Sequence, residues 1–251
     1  MCKRPAFLAL GLVLSAIAQP KSPPSTSPKD ALLVLSVLPE GEQMAAVIKN
    51  ASIKAVTAFC VDLQWQYADG SGRPDGLCRD LALGLALDTV PGPGRQGTEL
   101  TFKPGETQTL RFANFRSASG SPAVFAVGSP TAVIFEDRTA IGRPEQVQLL
   151  IENRGVKAAE LKDLVLRLRT IRSAPDPKHE MRSQLEDVAR LAAQPGKAGG
   201  NARRYEDLQK TLAERQNFLA IPEVFDRSLE GDSAQADYLA RHSVMQAGGA
   251  Q

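Results

Sequence analysis

The chain has 251 residues, 43% of them hydrophobic and 23% charged, with a formal net charge of +2 at pH 7. That length fits one large or two smaller domains, with enough chain to bury a proper core without many disulfides. Residues 19–142 hold 11 basic and 12 acidic side chains and residues 143–251 hold 17 and 16, so neither half has the basic excess that selects nucleic acid or an anionic membrane.

At the N-terminus, Lys3 and Arg4 precede an apolar run over residues 6–18 that closes on the small residues Ala16 and Ala18. This is the pattern of an export signal, residues 1–18, cut before Gln19. The run is 13 residues long, short of the roughly 20 a spanning helix needs, so no membrane span is expected after cleavage. Cys2 leaves with the signal, and the protein is expected to be exported, periplasmic or secreted. Residues 19–30 contain PKSPPSTSPKD, too stiff and polar to pack, and read as a linker.

From Ala31 the pattern turns to short period-two runs. In residues 56–67, Phe59, Val61, Leu63, Trp65 and Tyr67 point one way while Ala58, Cys60, Asp62, Gln64 and Gln66 point the other, as in a half-buried strand. Similar runs occupy residues 31–38, 43–49, 81–88, 98–102, 107–113, 123–127 and 131–136. Glu40-Gly41, Asn50-Ala51-Ser52, Asp69-Gly70 and Lys103-Pro104-Gly105-Glu106 stand between them as turns. About eight strands without intervening helical patterns predict an antiparallel β-sandwich of immunoglobulin-like size over residues 31–142. Leu81, Leu83, Leu85 and Leu87 alternate with Ala82, Gly84 and Ala86, which reads as a strand.

Past Gly142 the period becomes helical. Pro144 suits a first turn, and Val147, Leu150, Ile151, Ala158, Leu161, Leu164, Val165, Leu168 and Ile171 recur on one face. Gly155 is a candidate kink, and Ala174-Pro175-Asp176-Pro177 ends the run. A second amphipathic run carries Met181, Leu185, Val188 and Ala192, and a third carries Tyr205, Leu208, Leu212 and Leu219. Beyond Pro222 the pattern weakens to one short helical stretch over residues 236–245 and a frayed tail. Residues 143–251 are thus a helical C-terminal region, and its apolar stripes must pack on each other, on the sandwich or on a second chain, so self-association through the helices is one outcome. The predicted fold class is α+β, with the sandwich first and amphipathic helices after it.

The segments AAVIKNASIKAVTAFCVDL, FKPGETQTLRF and VIFEDRTAIG, the last leading into a long charged helix, resemble uncharacterised exported bacterial proteins that join an Ig-like sandwich to a helical C-terminal region. The resemblance covers about residues 31–172. It implies a fold and a compartment, and no functional residue comes with it.

Chemistry is sparse. Gly92-Pro93-Gly94-Arg95-Gln96-Gly97 has the G-x-G-x-x-G spacing of dinucleotide loops, but such a loop must open a helix, and residues 98–102 read as a strand. No cofactor is expected. The mature chain offers Cys60, Cys78, His179 and His242 with no zinc spacing. Glu136-Asp137 lacks the surrounding oxygens of a calcium site and reads as a solvated strand end. Ser71 and Ser119 lack a hydrolase elbow, and His179 and His242 read as surface residues. Paired carboxylates, which are set by space rather than spacing, stay open. The loops at residues 69–76 and 90–97 are candidate binding loops at the ends of the sandwich.

The reading is therefore an exported, non-enzymatic envelope or secreted protein, an interaction or structural module with a protein or envelope partner. The alternatives are an exported carboxylate-dependent hydrolase and a carbohydrate-binding sandwich. Trp65 would be the stacking residue of the latter, although its phase with Phe59 and Leu63 places it in the core.

Cys60 and Cys78 have neither a C-x-x-C spacing nor an evident base to make a reactive thiol. Export favours a disulfide, and closing a loop of 17 intervening residues adds about 3 kcal/mol by restricting the unfolded chain. A plain hairpin turning near Gly72 would instead pair Cys60 with residue 84 and leave the thiols about 20 Å apart. A bridge then requires residues 68–79 to fold back as a loop across the outer face, where Cys60 points. The balance is with a disulfide of no catalytic duty, and two separate thiols remain the alternative.

Overall fold

The computed structural model describes residues 27–84, 101–113, 116–193 and 200–245. The export signal, most of the linker, the G-x-G-x-x-G stretch, the loop at residues 90–97 and residues 85–88 and 98–100 of the expected strands lie outside the described residues.

A single helical turn, α1 (Pro28–Ala31), capped by the Ser27 hydroxyl, leads into the strands. These are β1 (Leu32–Glu40), β2 (Gln43–Asn50), β3 (Val56–Tyr67), β4 (Gly72–Asp80), β5 (Thr107–Ala113), β6 (Ala123–Phe135) and β7 (Ala140–Gly142). They form two antiparallel sheets, ordered β1-β2-β5 and β4-β3-β6-β7. Their facing sides share one core, to which β1 and β2 give Val37, Met44, Ala46 and Ile48, β3 gives Phe59, Val61, Leu63, Trp65 and Tyr67, and β6 gives Ala126, Val133 and Phe135. From Phe59 to Tyr67 the odd-numbered side chains of β3 are all inward, whereas Thr57, at the register shift between Val56 and Ala58, meets Arg154 on the outer side; Trp65 meets Phe112 of β5 edge-on at 5.8 Å between ring centres. Alternation forces this: on a strand, residues two apart share a face, and five large apolar side chains on one face leave water only against a second sheet.

Three expectations for the strands are corrected. Leu81–Gly84 is a helical turn, α2, because Asp80 accepts a hydrogen bond from the Ala82 amide (3.0 Å) and caps it. Ala82 is drawn away from the sheet into the helical core. The runs at residues 123–127 and 131–136 are one strand, β6, bent where its register with β3 slips between Cys60 and Val61, opposite Ala132 and Pro130. Residues 72–80 are not a loop folded over the outer face but the strand β4, hydrogen-bonded to β3. The hairpin turns at Asp69-Gly70, where Gly70 has φ +81° and the Tyr67 amide donates to Ser71 O. Moving the turn ahead of Gly72 shifts the register, so that Cys60 faces Cys78 directly.

The helices are α3 (Pro144–Ser173), α4 (Pro177–Ala192), α5 (Gly200–Gln216) and α6 (Pro222–His242), with a 3₁₀ turn at Asn217–Ala220 before α6. α3 runs unbroken through Gly155. Asp176 caps α4 through the Lys178 and His179 amides, both at 3.1 Å. α6 corrects the expectation of a weak final stretch: it has 21 residues and packs along α3, burying Phe225, Ala236 and Leu239. Its apolar positions are diluted by Ser228, Asp232 and Gln235, which are buried as well, so composition hid the face. The stripe of α3 closes on Met181, Val188, Leu208, Leu212, Phe225 and Leu239 in a helical core separate from that of the sheets. Arg167 ties α3 to α4 through Asp187 (3.0 Å), and Arg172 ties α3 to α6 through Asp226 (2.6 Å).

A third, smaller cluster joins the two halves. Ala58, Cys60, Ala132, Ile134 and Ala140, on the outer side of the four-stranded sheet, are covered by Leu150 and Ile151 of α3.

Candidate functional site

The helices cover only part of that outer side. On β6, Ala132 and Ile134 are buried beneath α3, whereas Phe125 and Val127, further along the same strand, are 42% and 63% exposed. Register places Phe125 opposite Gln66, Val127 opposite Gln64 and Ser129 opposite Asp62. Across β3, Gln64 faces Pro74 of β4. An open groove on this uncovered half is lined by Asp62, Gln64, Pro74, Asp75, Val127 and Ser129. Asp62 is paired with Arg143 at 2.8 Å, at the border with α3, and Asp75 accepts from the Gly76 amide at 2.8 Å. The site is shallow and amphipathic, with two apolar side chains between amides and carboxylates. It can hold an apolar side chain and hydrogen-bond a polar backbone beside it. A second apolar area lies on β1, where Leu33, Leu35 and Leu38 are exposed, while Val34 between them packs against Gly128 of β6.

Two clusters of buried charge are closed. Arg154 of α3 is fully buried; its Nε donates to Asp80 Oδ2 (2.6 Å), and its Nη2 donates to Asp80 Oδ1 (3.0 Å) and Thr57 Oγ1 (2.9 Å). Within the helical core Arg215 donates to Asp232 at 3.1 Å. Burial pushes the Asp232 carboxyl up despite Arg215, and burial likewise raises the Tyr238 hydroxyl. Each carboxylate faces a guanidinium, an arrangement that fixes packing rather than presenting a free acid or base.

The other singled-out residues are dispersed. Cys60 and Cys78 are joined in a disulfide, with Cα atoms 4.1 Å apart, and Trp65 is fully buried. His179 starts α4. His242 ends α6, stacked on Tyr238 at 4.0 Å, with Nδ1 2.9 Å from Tyr238 O and Nε2 3.3 Å from Glu136 O. Asp137 pairs with Lys54 (2.7 Å) and accepts from Thr139. Ser71 and Ser119 do meet, with Ser117, around Asp69, whose carboxylate accepts from all three hydroxyls. The hydroxyls of Ser119, Ser71 and Ser117 hold that carboxyl far below the usual range. This links the β3–β4 turn to the turn before β6. Among the described residues there is no group of three or more His, Cys, Asp or Glu placed to hold a metal ion, and no helix is long and apolar enough to cross a membrane.

Sequence reasoning missed Phe125 and Val127, because their alternation marked only a strand. It also missed Arg154, whose signal was visible: it stands on the α3 stripe between Ile151 and Ala158, where an arginine needs a buried partner.

No protein-family model matches the chain, and no curated protein matches it. A solved structure of a hypothetical protein from Peptoclostridium difficile 630 is similar at 10% identity over 48% of this chain and 90% of that one, with a TM-score of 0.28, a likeness too slight to carry an argument about fold or function.

Proposed function

We propose that this chain is an exported, non-enzymatic envelope or secreted protein that works by protein contact, with an Ig-like sandwich as the binding part and the helices as a partial cover. The Ig-like reading is supported by the three-plus-four strand order, although the disulfide joins neighbouring strands of one sheet rather than the two sheets. Export is supported by the N-terminal pattern and by the disulfide itself, which persists in oxidising compartments. The observation that carries the binding reading is the half-covered sheet face: Phe125 and Val127 stay open beside Gln64, Gln66 and the groove, while the same face two turns of pleat away is sealed by α3. Apolar side chains clustered in a groove with polar neighbours mark contact sites more than scattered ones do. The partner is an extended protein segment with an apolar side chain for Val127 and backbone groups for Gln64.

A photo-crosslinking residue at Val127 tests this in the native envelope. The expected result is one discrete protein adduct that a Phe125→Lys change abolishes, with none from the same probe at Leu166, a 65% exposed apolar position on α3. Identical adducts from both positions, or none from Val127, would end the reading.

A further inference from the structure

The strand end that carries the disulfide is also the segment that enters the helical core. On β4, Cys78 and Asp80 are two apart and so share the outer face. Asp80 holds Arg154 of α3 by two hydrogen bonds, at 2.6 and 3.0 Å, and accepts from the Ala82 amide. Ala82 is fully buried among the helices, and its carbonyl accepts from the Gln235 side chain of α6. Arg154 in turn donates to His242 O at 3.4 Å, at the end of α6. Residues 80–83 are therefore a plug from the sheet into the seam between α3 and α6.

β4 is a weak strand to carry such a plug. It is an edge strand with the sequence GRPDGLCRD, in which Pro74 lacks a donor and two glycines give no packing. Cys78 ties it covalently to β3, whose Cys60 lies under Leu150 and Ile151. Cys60 is 1% exposed, while Cys78 is on the exposed side of the edge strand.

We propose that the Cys60–Cys78 disulfide is a redox-sensitive latch on the docking of the helices against the sheet, opened by a dithiol reductant. A thiolate of the reductant attacks the Cys78 sulfur, and the S–S bond breaks with its electron pair leaving on Cys60, which takes a proton. The second thiol of the reductant then attacks its own mixed-disulfide sulfur and releases Cys78 as a thiol. The protein disulfide gains two electrons and two protons, and the dithiol is oxidised to a disulfide. Without the covalent tie, only the ladder to β3 holds the end of β4, the aim of Asp80 at Arg154 relaxes, and the α3–α6 seam loosens while the β1-β2-β5 sheet does not. The latch stands whether or not the Phe125–Val127 face binds a partner.

The test is amide hydrogen exchange on the full-length mature protein, oxidised and then treated with dithiothreitol without denaturant, with thiol alkylation to count reduced cysteines. The expected result is two alkylated cysteines and a loss of protection on the order of tenfold in residues 150–158 and 235–242, with β1, β2 and β5 unchanged. A Cys60→Ala, Cys78→Ala variant should reproduce that pattern, and if it does not fold, the reductant experiment decides alone. A disulfide reducible only in denaturant overturns the latch. So does reduction that leaves α3 and α6 protected, or that lowers protection equally in every strand and helix.

Discussion

In the strand region the buried Asn50 is neutral and satisfied locally: its amide donates to Lys54 O (2.9 Å) and Phe102 O (2.7 Å), and its carbonyl accepts from the Ser52 amide and hydroxyl. In the helical region and at its junction with the sheets, buried ion pairs, Arg154 with Asp80 and Arg215 with Asp232, stand beside the neutral Ser228 and Gln235. The neutral knot pins one turn next to the residues it bonds, apart from the long reach to Phe102. The Arg154–Asp80 pair joins residues 74 apart in sequence. A neutral amide can change partners at modest cost, whereas a buried charge without its mate is strongly unfavourable. The sheets therefore rest on apolar alternation, and the way the helices sit on them is specified by charge.

Removing one charge at the junction should have the largest effect. Arg154→Leu leaves Asp80 buried without its cation and is expected to cost about 3–5 kcal/mol. Urea unfolding followed by Trp65 fluorescence, which reports on the sheets, and by far-ultraviolet circular dichroism, which reports mainly on the helices, should show the helical signal failing first. Coincident transitions would break the distinction between the two regions.

The second pair sharpens it. Arg215→Met alone is expected to cost about 3–5 kcal/mol, but the double change Arg215→Met, Asp232→Leu should be neutral or stabilising by about 1–4 kcal/mol, because both charges leave the core together. A double variant as unstable as the single one would mean that the pair contributes more than it costs to bury.

Asn50→Ala is expected to cost about 1–3 kcal/mol, read from the fluorescence transition, with the helical transition unmoved. A shift of both would show the knot to be as global as the ion pairs.

The smallest effect concerns Asp69. Its carboxyl is held below the ordinary value by hydrogen bonds from Ser119, Ser71 and Ser117. A lowered folded value means that its contribution is present above the unfolded aspartate range, near pH 3.9, and is lost only as pH falls through the lower folded value. A carbon-detected titration of Asp69 should show a midpoint below that range, raised by Ser119→Ala. A midpoint in the ordinary range would dissolve the contact between the two turns.

What the sequence determined by itself is what periodicity can carry. It showed strands before helices, the inward phase of Phe59, Val61, Leu63, Trp65 and Tyr67, and the α3 stripe from Leu150 to Ile171, because burial of apolar side chains at a fixed repeat is a local property of the chain. It could not say what lies over a face. That Cys60 and Cys78 face each other depended on where one hairpin turns, and a shift of the turn by three residues moves the partner by six. That Asp80 and Arg154 meet, and that α3 covers Ala132 and Ile134 but leaves Phe125 and Val127 open, depended on how thirty residues of helix land on a sheet. Those contacts join segments far apart along the chain, so only the tertiary structure decided them.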